Sequence, residues 1–176
     1  MPRYVAFLRG INVGGQVVKK EKLLEAFNNL NFQGVVTFKQ SGNVIFETPD
    51  VNIEAVKPKI VSCLTAALGF EVKVFIRTVA QLKTLVEADP FRNQNSADSS
   101  FLVTFLDTPG SFPLPLPAVI PKSTAQVIGV KGTEVYSVTH GGGEGALPNP
   151  FLERALKTKA TTRNFNVVRG IVETYG

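Results

Sequence analysis

The chain has one cysteine and one histidine among its 176 residues. Cys63 alone cannot close an internal disulfide, so a reducing compartment is expected. His140 alone lacks the partners that a catalytic triad or a zinc site requires. Beside Gly141, Gly142 and Gly143 it reads as a mobile surface side chain. No apolar run approaches the roughly 18 residues needed to span a bilayer. Met1-Pro2-Arg3 leads straight into a strand pattern, not into a signal segment. These shortages point to a cytoplasmic protein with no membrane partner, no metal and no cofactor.

What is present belongs to a folded protein. At 44% hydrophobic and 19% charged residues, the chain is too apolar for a disordered one. Its length fits one domain or two small ones. The net charge of +5 is concentrated in two places. Residues 1–78 hold most of it, and Arg154, Lys157, Lys159, Arg163 and Arg169 gather near the C-terminus against Glu153 alone until Glu173. Such a basic surface attracts phosphate-bearing partners, although a solvated face is its commoner meaning.

Periodicity assigns the elements. Tyr4–Arg9 reads as a strand ending at Gly10, and Leu23, Leu24, Phe27 and Leu30 fall at helical spacing. Val35–Phe38 and Val44–Phe46 flank the turn signal Ser41-Gly42-Asn43 and form a hairpin. Ile53, Val56, Ile60 and Leu64 give a second helix that Gly69 ends, with Asp50 or Asn52 as its cap. Pro58 either opens that helix or bends it. Val72–Ile76 alternates as a strand. The order over residues 3–77 is β-α-β-β-α-β, the ferredoxin-like order.

From residue 79 the pattern is less regular. Thr78 and Gln81 make a capping box ahead of a short helix. Phe101–Leu106 reads as a strand, and the proline-rich connection 108–121 as stiff and irregular. Ala125–Val130 and Thr133–Val138 form a hairpin, and the glycine-rich stretch 140–145 is loose. Asn149-Pro150 caps and starts a helix, and Phe165, Val168, Ile171, Val172 and Tyr175 give a last one. The expected fold is α+β: a ferredoxin-like first half, 1–78, followed by a smaller α+β second half, 79–176, with C-terminal helices.

Right-handed crossover geometry puts the loop after the first strand and the hairpin tip at the same end of the sheet. That loop, Arg9-Gly10-Ile11-Asn12-Val13-Gly14-Gly15, has the glycine spacing of a phosphate loop. Gln16-Val17 follows where Lys-Ser/Thr would stand, so there is no phosphate clamp and no magnesium ligand. It also lacks the dinucleotide-binding glycine pattern. What the spacing allows is a backbone nest for an anion with Arg9 beside it. The plainer alternative is a tight turn in which Asn12 bonds its own backbone. Glu21 and Glu25, one helical turn apart, read as a solvated face, and Cys63 as a packed, inert thiol.

The motifs Leu8-Arg9-Gly10-Ile11-Asn12-Val13-Gly14-Gly15, Gln40-Ser41-Gly42-Asn43-Val44, Pro90-Phe91, Val135-Tyr136 and Thr162-Arg163-Asn164 run in one order along the chain. Together they resemble the family called domain of unknown function 1697. The resemblance implies a bacterial α+β protein with a ferredoxin-like first half and no established activity. Phe165 stands where that family usually has tryptophan after Arg-Asn, and Val167 where threonine is common, which weakens hydrogen bonding from this segment.

The candidate ligand-binding residues are therefore Arg9, Gly10, Asn12, Gly14, Gly15, Ser41, Gly42 and Asn43. Arg163 and Asn164, expected at a helix start, join them if that end reaches the loop. Arg154, Lys157, Lys159 and Arg169 are candidates for nonspecific nucleic-acid contact. Base-specific RNA readout is not expected, because Tyr4 and Phe46 are too few for an aromatic platform. Two functions fit. One is a binding module for a phosphate-bearing small molecule, a nucleotide or a nucleic-acid backbone. The other is an enzyme of phosphoryl or acyl transfer using the same cluster, with no catalytic residue assignable. Oligomeric state is not legible.

Overall fold

In a computed structural model, residues 1–39, 42–141 and 148–176 are described. They form nine strands and five helices, divided into two compact units. The first unit is Met1–Leu82 with Tyr175–Gly176, and the second is Lys83–Thr174. The expected halves were 1–78 and 79–176, and the two units divide after Leu82.

The first unit runs β1 (Arg3–Arg9), α1 (Lys20–Asn28), β2 (Gln33–Thr37), β3 (Asn43–Glu47), α2 (Ile53–Leu68) and β4 (Lys73–Thr78). Its sheet has the order β2-β3-β1-β4, antiparallel throughout. This is the ferredoxin-like arrangement. Alternate residues of β1, Tyr4, Ala6 and Leu8, join Leu23 and Phe27 of α1 and Ile60 and Leu64 of α2 in one core. Tyr4 and Phe46 stack at 5.6 Å inside that core. They are packing residues, as their small number suggested, and not a platform for bases.

Pro58 does not open α2, because the helix starts at Ile53 and the proline lies inside it. Asn52 is its N-cap without a side-chain cap bond, and Asp50 Oδ1 accepts from the Asn52 amide instead (3.0 Å). Gly69 ends α2 in the left-handed region, φ +80°, as a glycine C-cap does.

The second unit holds most of α3 (Val79–Ala88), then β5 (Ser99–Leu106), β6 (Ala118–Val119), β7 (Ala125–Lys131), β8 (Glu134–His140), α4 (Asn149–Leu156), β9 (Ala160–Asn164) and most of α5 (Phe165–Tyr175). The capping box at the start of α3 is formed both ways. The Thr78 amide donates to Gln81 Oε1 at 2.8 Å and the Gln81 amide to Thr78 Oγ1 at 3.0 Å. The strand order is β6-β7-β8-β5-β9. Leu106, Val127, Val135, Leu152 and Ala160 build the core between this sheet and α4. The proline-rich connection carries no helix, only the two-residue β6.

One expectation holds in part and another fails. Arg163 and Asn164 end β9, where Arg163 lies opposite Val103 of β5, and α5 starts at the next residue, Phe165. The β-branched pair Thr161-Thr162 completes the sheet before the chain can turn helical. Asn149 does not cap α4. Pro148 holds that position, and Asn149 Oδ1 instead accepts a hydrogen bond from Thr162 Oγ1 at 2.6 Å.

Candidate functional site

The register of the first sheet brings two turns to one edge. Phe7 of β1 lies opposite Asn43 of β3, and the Leu8 amide donates to the Gly42 carbonyl at 2.8 Å. The loop leaving β1 and the turn entering β3 therefore share a rim, as the order of elements required. Gln40 and Ser41 lie outside the described residues.

Ile11 and Val18 bury their side chains in the core and anchor the loop at both ends, leaving residues 12–17 exposed. The backbone takes left-handed values at Gly10 (φ +90°), Asn12 (+56°), Gly14 (+59°) and Gly15 (+82°). Asn12 closes the loop: its amide donates to the Gln16 carbonyl at 2.8 Å, and its Oδ1 accepts from the Val18 amide at 2.9 Å. The Gln16 amide returns to the Val13 carbonyl at 3.1 Å. Asn43 is buried and donates from Nδ2 to the Phe38 carbonyl at 3.2 Å, bracing the hairpin.

The two asparagines thus shape the rim. Asn12 Oδ1 is committed to the loop's own backbone, as the plainer reading anticipated. The amides of Val13, Gly14 and Gly15 donate to no group of the chain among the described residues. Arg9, half-buried at the end of β1 opposite Lys73, stands at the base of the loop. Nothing lies within 4 Å of a Cβ built on Gly14 or Gly15, so this part of the loop is open.

Arg163 and Asn164 belong to the second unit. Arg163 Nη1 donates to Thr161 Oγ1 and to the Thr162 carbonyl, both at 2.9 Å. Burial pulls its guanidinium pKa down to about 10, since the charged form loses solvation. Asn164 accepts the Asn166 amide at 2.9 Å and so caps α5. Arg154, Lys157 and Lys159 are exposed around the C-terminal end of α4, where positive charge is favoured by the helix dipole. Arg169 is on α5, away from that group in sequence and element.

The second unit also contains a cavity of about 440 Å³ that the sequence did not reveal. Phe91, Phe101 and Phe165 belong to its apolar lining, and Asp89, Asn166 and Arg169 to its polar lining. Asn164 and Ser99 border it as well. His140, expected to be a loose surface group, has its Nδ1 3.0 Å from Ser99 Oγ. Cross-strand register explains this, because Ser99 and His140 lie opposite each other on β5 and β8. Behind the cavity Tyr136 packs edge-on to Phe91, and burial, followed by Glu134, raises its hydroxyl pKa to about 12.

Cys63 is half-buried, with Sγ 3.1 Å from the Ala26 carbonyl, and Glu21 and Glu25 are exposed. Among the described residues no three of His, Cys, Asp and Glu gather as metal ligands, and no helix is long and apolar enough to cross a membrane.

Comparison with known proteins adds the following. The family described as a protein of unknown function (DUF1697) matches residues 1–136. A solved structure, titled as that of the conserved bacterial protein SP0830 from Streptococcus pneumoniae, aligns with a TM-score of 0.66 and 19% identity. The alignment covers 98% of this chain and 97% of that one, and at this identity it speaks for the fold alone. No curated protein matches the chain.

Proposed function

This chain belongs to the DUF1697 family of proteins of unknown function, and from that premise we propose that it is a binding module for anionic, phosphate-bearing ligands. The site is the rim where the Gly10–Gly15 loop meets the Gly42–Asn43 turn. The observation that carries the reading is the Leu8–Gly42 bond at 2.8 Å, which sets the two turns side by side. Beside it stand three exposed amides, Val13 to Gly15, with no intramolecular acceptor among the described residues. Successive backbone N–H groups in a turn with left-handed residues make a concavity that suits an anion. Arg9 supplies a planar fork that phosphate oxygens accept. Asn12 and Asn43 serve by holding the two turns in shape.

The rim needs only first-unit residues, so Arg163 and Asn164 are not required ligands. Whether the anion is a small molecule or a nucleic-acid backbone is decided by salt. Backbone contacts release counterions and weaken steeply as salt rises, whereas a single enclosed phosphate loses much less.

The test is thermal unfolding of the full chain with inorganic phosphate, pyrophosphate and a single-stranded RNA oligonucleotide, for the wild type and Arg9→Ala. A ligand that binds only the folded form raises the melting temperature by mass action. At least one of the three should raise it by a few degrees, and Arg9→Ala should remove most of that gain. A gain that survives the substitution intact, or no gain with any of the three, overturns the rim.

A further inference from the structure

We propose that the cavity of the second unit is a separate binding site for a small ligand joining a flat unsaturated ring to one anionic group, with a mononucleotide as the fitting class. It shares no residue with the rim.

The ring half of the argument begins with Phe91. It is buried and lies parallel to Phe101, with centroids 4.8 Å apart and planes 11° apart, while Phe165 braces it at 4.9 Å. Phe101 is thus held rigidly from one side, yet it is only half-buried and borders the cavity. A fixed aromatic face beside open volume is a stacking platform for another planar ring. A volume of about 440 Å³ lies within the range of small-ligand clefts.

The anionic half comes from Arg169. Its side chain is 52% exposed, and its pairing with Glu173 is at 3.9 Å, the outer limit of an ion pair. A loosely held guanidinium at a cavity wall can turn to a phosphate and bind it through two parallel bonds. Asp89 lines the same cavity. A bare inorganic anion is repelled by that carboxylate. A ligand that separates its phosphate from hydroxyl donors by a sugar satisfies both charges, with Asp89 accepting from the hydroxyls. Gln94 and Asn166 add side-chain amides, which both donate and accept, as the edge of a nucleobase does.

Isothermal titration of the full chain with AMP and UMP tests this, with adenosine and inorganic phosphate as half-ligands. At least one mononucleotide should bind, and adenosine, like inorganic phosphate with the Arg9→Ala chain, should bind at least tenfold more weakly. Arg169→Gln, at an exposed position, should weaken mononucleotide binding at least fivefold and leave adenosine unchanged. Phe101→Leu should weaken both, and Arg9→Ala should change neither. No binding of AMP or UMP at millimolar concentration overturns the proposal, as does binding indifferent to Arg169→Gln. Mononucleotide binding lost only in Arg9→Ala assigns the ligand to the rim and overturns the cavity site.

Discussion

Thr162 sits in the middle of a buried chain of polar groups. Its hydroxyl proton goes to Asn149 Oδ1 at 2.6 Å, so Thr104, 2.7 Å away, must donate to Thr162. Nearby on β8, Ser137 is fully buried and its Oγ has no hydrogen-bond partner among the described residues. The two hydroxyls should answer oppositely to removal. Thr162→Val strands two buried partners and should cost about 2 kcal/mol, whereas Ser137→Ala removes an unsatisfied group and should be neutral or stabilising by about 1 kcal/mol. Urea unfolding of both variants gives the comparison, and equal losses would mean that Ser137 is satisfied after all. The sequence displayed Thr162 inside its Thr-Arg-Asn motif but not this role, because Thr104 is 58 residues away. Arg163 does stand just ahead of α5 as read, but its place on a strand was hidden for a related reason, because its partner Val103 is far away in sequence.

At the scale of elements, local chemistry was legible wherever its partners were close in sequence. The Thr78–Gln81 capping box and the Gly69 cap needed only neighbours, and both formed as read. β9 was missed because five residues of mixed polarity become a strand only through pairing with β5, a tertiary effect. Pro58 is the instructive compromise. It lies inside α2 on an exposed position, where it forgoes an amide hydrogen bond that the helix would otherwise make. Its apolar neighbours Val56, Ile60 and Leu64 are fully packed and hold the helix together across it. Pro58→Ala should therefore stabilise the protein by about 1–3 kcal/mol, the helix gain being partly offset by a freer unfolded chain. An unchanged or lower urea midpoint would show that α2 is shaped around the proline.

Over the whole molecule, the sequence carried the topology of the first unit and through it the rim. Six elements in β-α-β-β-α-β order leave few arrangements, and right-handed crossovers fix which loops share an end. The cavity was invisible by comparison. Its walls come from the α3–β5 connection, the start of β5 and the first turns of α5, and no short motif links them. Membership of the family fixes ancestry without chemistry, so the rim must be tested directly. The decisive measurement is a pyrophosphate titration of the ¹⁵N-labelled chain followed by amide NMR shifts. The amides of Val13, Gly14 and Gly15 should move together, saturably, and the Arg9→Ala variant should lose the response. If those three signals stay still while shifts elsewhere saturate, the loop binds no anion and is only a turn.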